Sequence, residues 1–162
     1  MSTQNPYEDF LEGRPVETIL ATTSDALADL LEAIGPNKQK QPAPGKWSAA
    51  EIVCHLADCE IAFGFRLRMT LTEENPTLQP FDQDRWAVNY PGIDADLSLA
   101  SFAGLRKWNL HLIHTSLPAA ASRPATHPER GAMTFQTIVE TMAGHDLNHL
   151  AQLRKIAEQT KK

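Results

Sequence analysis

The sequence predicts an all-α chain: a four-helix bundle with a long crossover connection between the second and third helices. Four segments carry apolar residues at alternating three- and four-residue steps, the stripe of a helix that buries one face. No segment shows the alternation of a strand. About 25 residues, 73–97, separate the second stripe from the third, more than antiparallel neighbours need. That length can cross the bundle and set the third helix parallel to the second. At 162 residues the chain is read as one domain, 1–162.

Residues 1–13 read as a loose or lightly docked N-terminal arm. Arg14-Pro15 opens the first helix, since proline at a first-turn position loses no hydrogen bond. Its stripe is Val16, Ile19/Leu20, Thr23, Leu27, Leu30/Leu31 and Ile34, and Gly35-Pro36 ends it. A polar linker runs from Asn37 to Lys46. Ser48 with Glu51 three positions on is a capping box, and Trp47 ahead of it can staple onto Ile52. The second helix should then run from Ser48 to about Leu71. Its inner face is Ile52, His55/Leu56, Cys59, Phe63 and Arg66/Leu67. Pro76, Pro80 and Pro91 keep the next connection from forming a long helix, with a short helical turn allowed around Phe81–Trp86. Ser98 is the expected cap of a third helix to about Ser116, with Phe102, Leu105, Asn109 and Leu112/Ile113 inside. Leu117-Pro118 ends it. Residues 118–133 read as a loop rich in Pro, Ala and Gly, and Thr134 caps a fourth helix to about Gln159.

Composition narrows the function. The net charge is −5 with histidines neutral, and no cationic block stands out beyond Lys161-Lys162, so neither nucleic acid nor an anionic membrane is the expected partner. No apolar run is long enough for a membrane span, and the polar, acidic Met1–Phe10 segment lacks the pattern of a signal peptide. Cys54 and Cys59 stand about 140° apart around a helix, which suits neither a disulfide nor a redox pair. A cytoplasmic location is expected.

The fourth stripe runs Phe135, Ile138, Met142, His145, His149, Gln152/Leu153 and Ile156, so two histidines four residues apart fall on the buried face. Buried imidazoles need partners, and a metal would satisfy both. His55 occupies a seam position of the second helix. With helices 2 and 4 antiparallel, His55 lies about 10 Å along one helix and the pair about 16–22 Å from the end of the other. Three inward histidines leave an open coordination position. Such a site lowers the pKa of water, polarises a carbonyl or holds a thiolate. Asp58, one turn after His55, is the candidate to orient a ring from behind; Asp146 points elsewhere on its helix. Imidazoles suit zinc, nickel, copper or iron.

Blander readings compete. The histidines can be core residues bonded to backbone or to each other. Cys59 can be a fourth ligand, though a small buried apolar role suits it better. His111 and His114 lie beside their stripe and read as solvent-facing, and His127 on its Pro-rich loop reads as exposed. Arg66 can bind a substrate carboxylate or pair with Glu73 or a loop aspartate. Trp86, with Asp82–Asp84, can close over the pocket as a lid or plug the open end of the bundle.

Trp47-Ser48-Ala49-Ala50-Glu51-Ile52-Val53-Cys54-His55-Leu56-Ala57-Asp58-Cys59-Glu60, Phe81–Trp86 and Ala143-Gly144-His145-Asp146-Leu147-Asn148-His149-Leu150 together resemble the DinB-like (DinB/YfiT) family over roughly residues 15–160. The resemblance implies a four-helix bundle whose metal is held by one histidine of helix 2 and two of helix 4, here His55, His145 and His149. It also implies a homodimer. Activities in the family include S-transfer of bacillithiol-like thiols, a mycothiol-dependent isomerisation and metal-dependent hydrolysis. The expected function is therefore that of a divalent-metal protein, zinc or nickel foremost. It would act on a small molecule as a metal-dependent thiol S-transferase, with a low-molecular-weight thiol as co-substrate, or as a hydrolase. The alternatives are a non-catalytic metal-binding or stress-related bundle, and a helical interaction module with structural histidines.

Overall fold

Three interhelical pairs show how the chain threads the bundle, once its elements are placed. The computed structural model describes residues 5–160, so residues 1–4 of the expected arm and Lys161-Lys162 lie outside the described residues. The helices are α1 (Glu8–Leu11), α2 (Val16–Ile34), α3 (Ala49–Thr72), α4 (Gln83–Ala87), α5 (Ala95–Ser116) and α6 (Phe135–Thr160). A hairpin of β1 (Pro124–His127) and β2 (Gly131–Thr134) precedes α6. Along α3 and α5, Cys54 faces Ser98, Glu60 faces Arg106 and Gly64 faces Asn109, so both sequences advance together and the two helices are parallel. Along α3 and α6, Ile52 shares a groove with Ile156, whereas Phe63 reaches back to His145, so these two are antiparallel. Lys38, just past α2, pairs with Asp96, while Arg106 reaches the Leu20 carbonyl, so α2 opposes α5. The order is up-down-down-up, and the crossover between α3 and α5 makes it so.

The capping box of α3 is complete: Glu51 N–H donates to Ser48 Oγ at 3.3 Å and Ser48 N–H to Glu51 Oε2 at 2.7 Å. The Trp47 ring packs on His55 and Tyr90, with ring centroids 4.9 and 5.9 Å apart. Thr134 caps α6, its Oγ1 accepting from Thr137 N–H at 3.1 Å.

Three expectations change, and one resolves between its two alternatives. α5 begins earlier than Ser98, because the Asp94 carboxylate accepts from Asp96 N–H and Leu97 N–H at 2.8 and 3.0 Å and suits the helix N-terminus. Its buried face carries Arg106 where Leu105 was expected. Residues 118–133 are not all loop. Their hairpin anchors the crossover, with Leu78 N–H donating to Thr126 O at 2.8 Å and Thr126 N–H to Pro76 O at 2.9 Å. The arm was expected to be loose or lightly docked, and its described part is docked. Tyr7 lies edge-on to His145, and a Cβ on Gly144 would stand 2.5 Å from Tyr7 O, so glycine there lets the arm approach. No helix among the described residues is long and apolar enough to cross a membrane.

Candidate metal centre

The antiparallel packing of α3 on α6 brings the three inward histidines together. His145 Nε2 lies 3.2 Å from His55 Nε2 and 3.1 Å from His149 Nε2. Nitrogens each at roughly 2.1 Å from one ion stand roughly 3.0 Å apart at a right angle and 3.4 Å at the tetrahedral angle. Both observed separations fall between, so His145 stands at ion-sharing distance from each of its two neighbours. Metal-free, His145 Nε2 either donates one proton or presents one lone pair, and cannot serve both neighbours alike. One cation satisfies three lone pairs together.

Cys59, one turn after His55, belongs to the same cluster. With His55 and His145 it forms a group whose donor atoms all lie within 4.8 Å of one another. Its Sγ is 3.5 Å from His55 Nε2 and 4.0 Å from His145 Nε2, against roughly 3.6 Å for a thiolate and an imidazole on one tetrahedral ion. Cys59 is therefore more than the small apolar filler expected of it, although burial holds its thiol well above its usual pKa and so protonated.

The protonation of the rings suits ligation. Burial, reinforced by His149, pushes His55 down to about 3. Burial first, then the neighbouring rings, holds His145 well below the usual histidine range, and burial also lowers His149. His149 Nδ1 faces Gln152 Oε1 at 3.1 Å; with the amide oxygen accepting, Nδ1 carries the proton and Nε2 keeps its lone pair.

A pH dependence follows. The unfolded chain takes up protons on these histidines near pH 6.5, whereas the folded cluster refuses them. Their contribution to stability is complete above about pH 6.5 and is lost as pH falls through that value toward about 3, the folded value of His55. Protons also compete with metal for the same nitrogens. The melting temperature of metal-free protein should be level above neutrality and fall steadily in acid, with metal affinity falling in parallel. A melting temperature unchanged between neutrality and pH 5 would contradict enclosed neutral rings.

Asp58 does not orient a ring: its carboxylate accepts from Tyr90 O–H at 2.7 Å, a partner from the crossover connection. Gln152 takes that part for His149, and its i, i+3 spacing was visible in the sequence. Beneath the histidines lies a network that sequence reading missed. Arg106 is 2% exposed, and its Nη1 and Nη2 donate to Asp146 Oδ2 and Glu60 Oε1, both at 2.7 Å. Thr23 Oγ1 donates to Asp146 Oδ2 at 2.8 Å and Asn109 Nδ2 to Glu60 Oε2 at 3.0 Å. The network ties α2, α3, α5 and α6 together directly behind His145.

A cavity of about 210 Å³ opens over His55, Cys59 and His145, room for about seven waters at ~30 Å³ each. Arg66 lines it and pairs with neither Glu73 nor a loop aspartate, its Nη2 donating to Gln79 O at 2.8 Å. Trp86 does not line it. Phe81 and Gln83 do, while Trp86 packs against Phe81 at 4.8 Å and is 38% exposed. His127, expected on the surface, is buried on the cavity wall: the two-residue period of β1 turns Ala125 and His127 inward. His111 and His114 are solvent-facing, as expected.

The sequence model of the DinB superfamily matches residues 19–153. Among curated relatives, a protein of Oceanobacillus iheyensis is 30% identical over 115 residues, covering 70% of this chain and 67% of that one. A relative from Bacillus mycoides is 28% identical over 135 residues, covering 80% and 78%. One from Bacillus cereus is 26% identical over 161 residues, covering 93% of each. All three bear the provisional name of metal-dependent hydrolase. The fold is similar to that of YfiT from Bacillus subtilis, at a TM-score of 0.82 and 22% identity, covering 90% of this chain and 86% of that one. That protein is described as a four-helix bundle of unusual topology.

Proposed function

The chain belongs to the DinB superfamily, and we propose that it is a metal-dependent enzyme, a hydrolase of small molecules first, with His55, His145 and His149 holding one zinc or nickel ion. The observation that carries this is that two of three convergent imidazoles, His55 and His145, open onto a cavity, so that an ion held by the three would be accessible to a substrate from that side. When bound, the ion supplies a Lewis acid and lowers the pKa of water. The names of the relatives favour hydrolysis over thiol transfer. The chain supplies the surroundings. Phe63 and Phe81 on the wall exclude bulk water, and Glu129 offers a carboxylate as proton acceptor. His127 Nδ1 accepts from Glu129 N–H at 3.2 Å, which leaves its proton on Nε2 as a donor. A non-catalytic metal site is the second reading, favoured only by the placement of Cys59, which would close the coordination sphere.

Metal-loaded protein is expected to hydrolyse at least one member of a panel of chromogenic esters, amides and phosphoesters, with activity lost on chelation and in His145→Ala. A parallel assay pairs small thiols with a fluorogenic electrophile. Turnover only there would make the protein a thiol transferase, and none in either assay with metal bound would favour the non-catalytic reading.

A further inference from the structure

Arg66 is a buried cation with no ion-pair contact among the described residues. It is 7% exposed, and its guanidinium carbon lies 5.8 Å from the ring centroids of both Phe63 and Phe81. Of its five N–H donors one is used, on Gln79 O, and Nε is enclosed with no partner. No carboxylate among the described residues lies within ion-pairing distance of it. A buried charge left so is costly unless something pairs with it. The wall that holds Arg66 also holds Arg130, Glu129 and His127. Two guanidinium groups against one carboxylate leave this wall of the cavity with an excess of positive charge. Burial first, and then Arg130, disfavours the charge on Arg66, and Glu129 offsets this only in part.

Resting on the metal-site reading, we infer that Arg66, supported by Arg130, is an anion seat on the wall of the metal cavity, and that the substrate is a small carboxylate. The aromatic rings beside Arg66 favour a planar ligand meeting the edge of the guanidinium, and a carboxylate matches that fork two atoms to two. The small cavity volume favours a compact acid over a nucleotide or a lipid.

The test is a titration of zinc-loaded, ¹⁵N-labelled full-length protein with succinate, its neutral counterpart succinamide, and inorganic phosphate, following the Arg66 Nε–H resonance. Succinate should move that resonance saturably, and succinamide should not. Arg66→Met should weaken succinate about 10- to 100-fold, the range for a hydrogen bond to a charged group, with zinc stoichiometry unchanged. Arg66→Lys, which keeps the charge but not the fork, should fall between. Arg130→Gln, on the more exposed hairpin turn, should weaken succinate to a lesser degree and serves if Arg66→Met fails to fold. An unmoved resonance, an equal response to succinamide, or wild-type affinity in a folded Arg66→Met would overturn the seat. Phosphate binding more tightly than succinate would overturn the carboxylate. If the wild type takes up no zinc and succinate still moves the Arg66 signal, the metal reading falls and the seat stands.

Discussion

Arg106→Met is expected to lower the unfolding free energy by about 3–5 kcal/mol, the range for removing one partner of a buried ion pair. Arg106, Glu60 and Asp146 are each 2% exposed, and the arginine bridges the two carboxylates at 2.7 Å. Burial alone would lower the pKa of Arg106, but the charges of Asp146 and Glu60 outweigh it and hold the group above its usual value. Without the arginine, two carboxylates remain enclosed with, among the described residues, only the hydroxyl of Thr23 and the amide of Asn109 donating to them from other side chains. The loss is therefore larger than the net worth of the pairs. The triple variant Glu60→Gln/Arg106→Met/Asp146→Asn should recover much of it, because no uncompensated charge is left. Denaturant unfolding of both proteins checks this. A single variant as stable as wild type, or a triple less stable than the single, would contradict a charge network at the centre of the bundle.

What was legible in the sequence was what repeats at short range. The capping box at Ser48 and Glu51 and the histidines at seam positions depend on spacings of three and four residues, and these survive folding unchanged. The long crossover was legible too, and with it the parallel placement of α5. What escaped depends on partners far away in sequence. A charged residue in a seam reads as an interruption, so Arg106 was passed over for Leu105 until Glu60 and Asp146 came to meet it. Asp58 stood at the right spacing to orient His55, but Tyr90 from the crossover takes its carboxylate. The hairpin strands are four residues each, too short for their alternation to stand out, and His127 was misplaced with them. Trp86 was the conspicuous aromatic of its loop, yet Phe81 is the one the backbone presents to the cavity.

His145→Ala should abolish metal binding outright, because its Nε2 is the atom the other two imidazoles share, at 3.2 and 3.1 Å. Protein purified without an affinity tag should carry about one divalent ion per chain by mass spectrometry, and the variant none, even after incubation with zinc or nickel. Gln152→Ala should be milder: it frees the far side of the His149 ring without removing a ligand, for a loss of roughly 10–100-fold in affinity. Cys59→Ala then decides what kind of site this is. Three imidazoles are enough to hold an ion with a position left for substrate, so the proposed enzyme predicts that Cys59→Ala keeps its metal. Cobalt substitution reports the same point spectroscopically, since a thiolate ligand adds an intense near-ultraviolet charge-transfer band that the variant would lose. If removing Cys59 empties the site as completely as removing His145, the sphere is closed by four protein ligands. The ion would then hold α3 to α6 with its own free energy of binding, and the cavity above it would have to work without it.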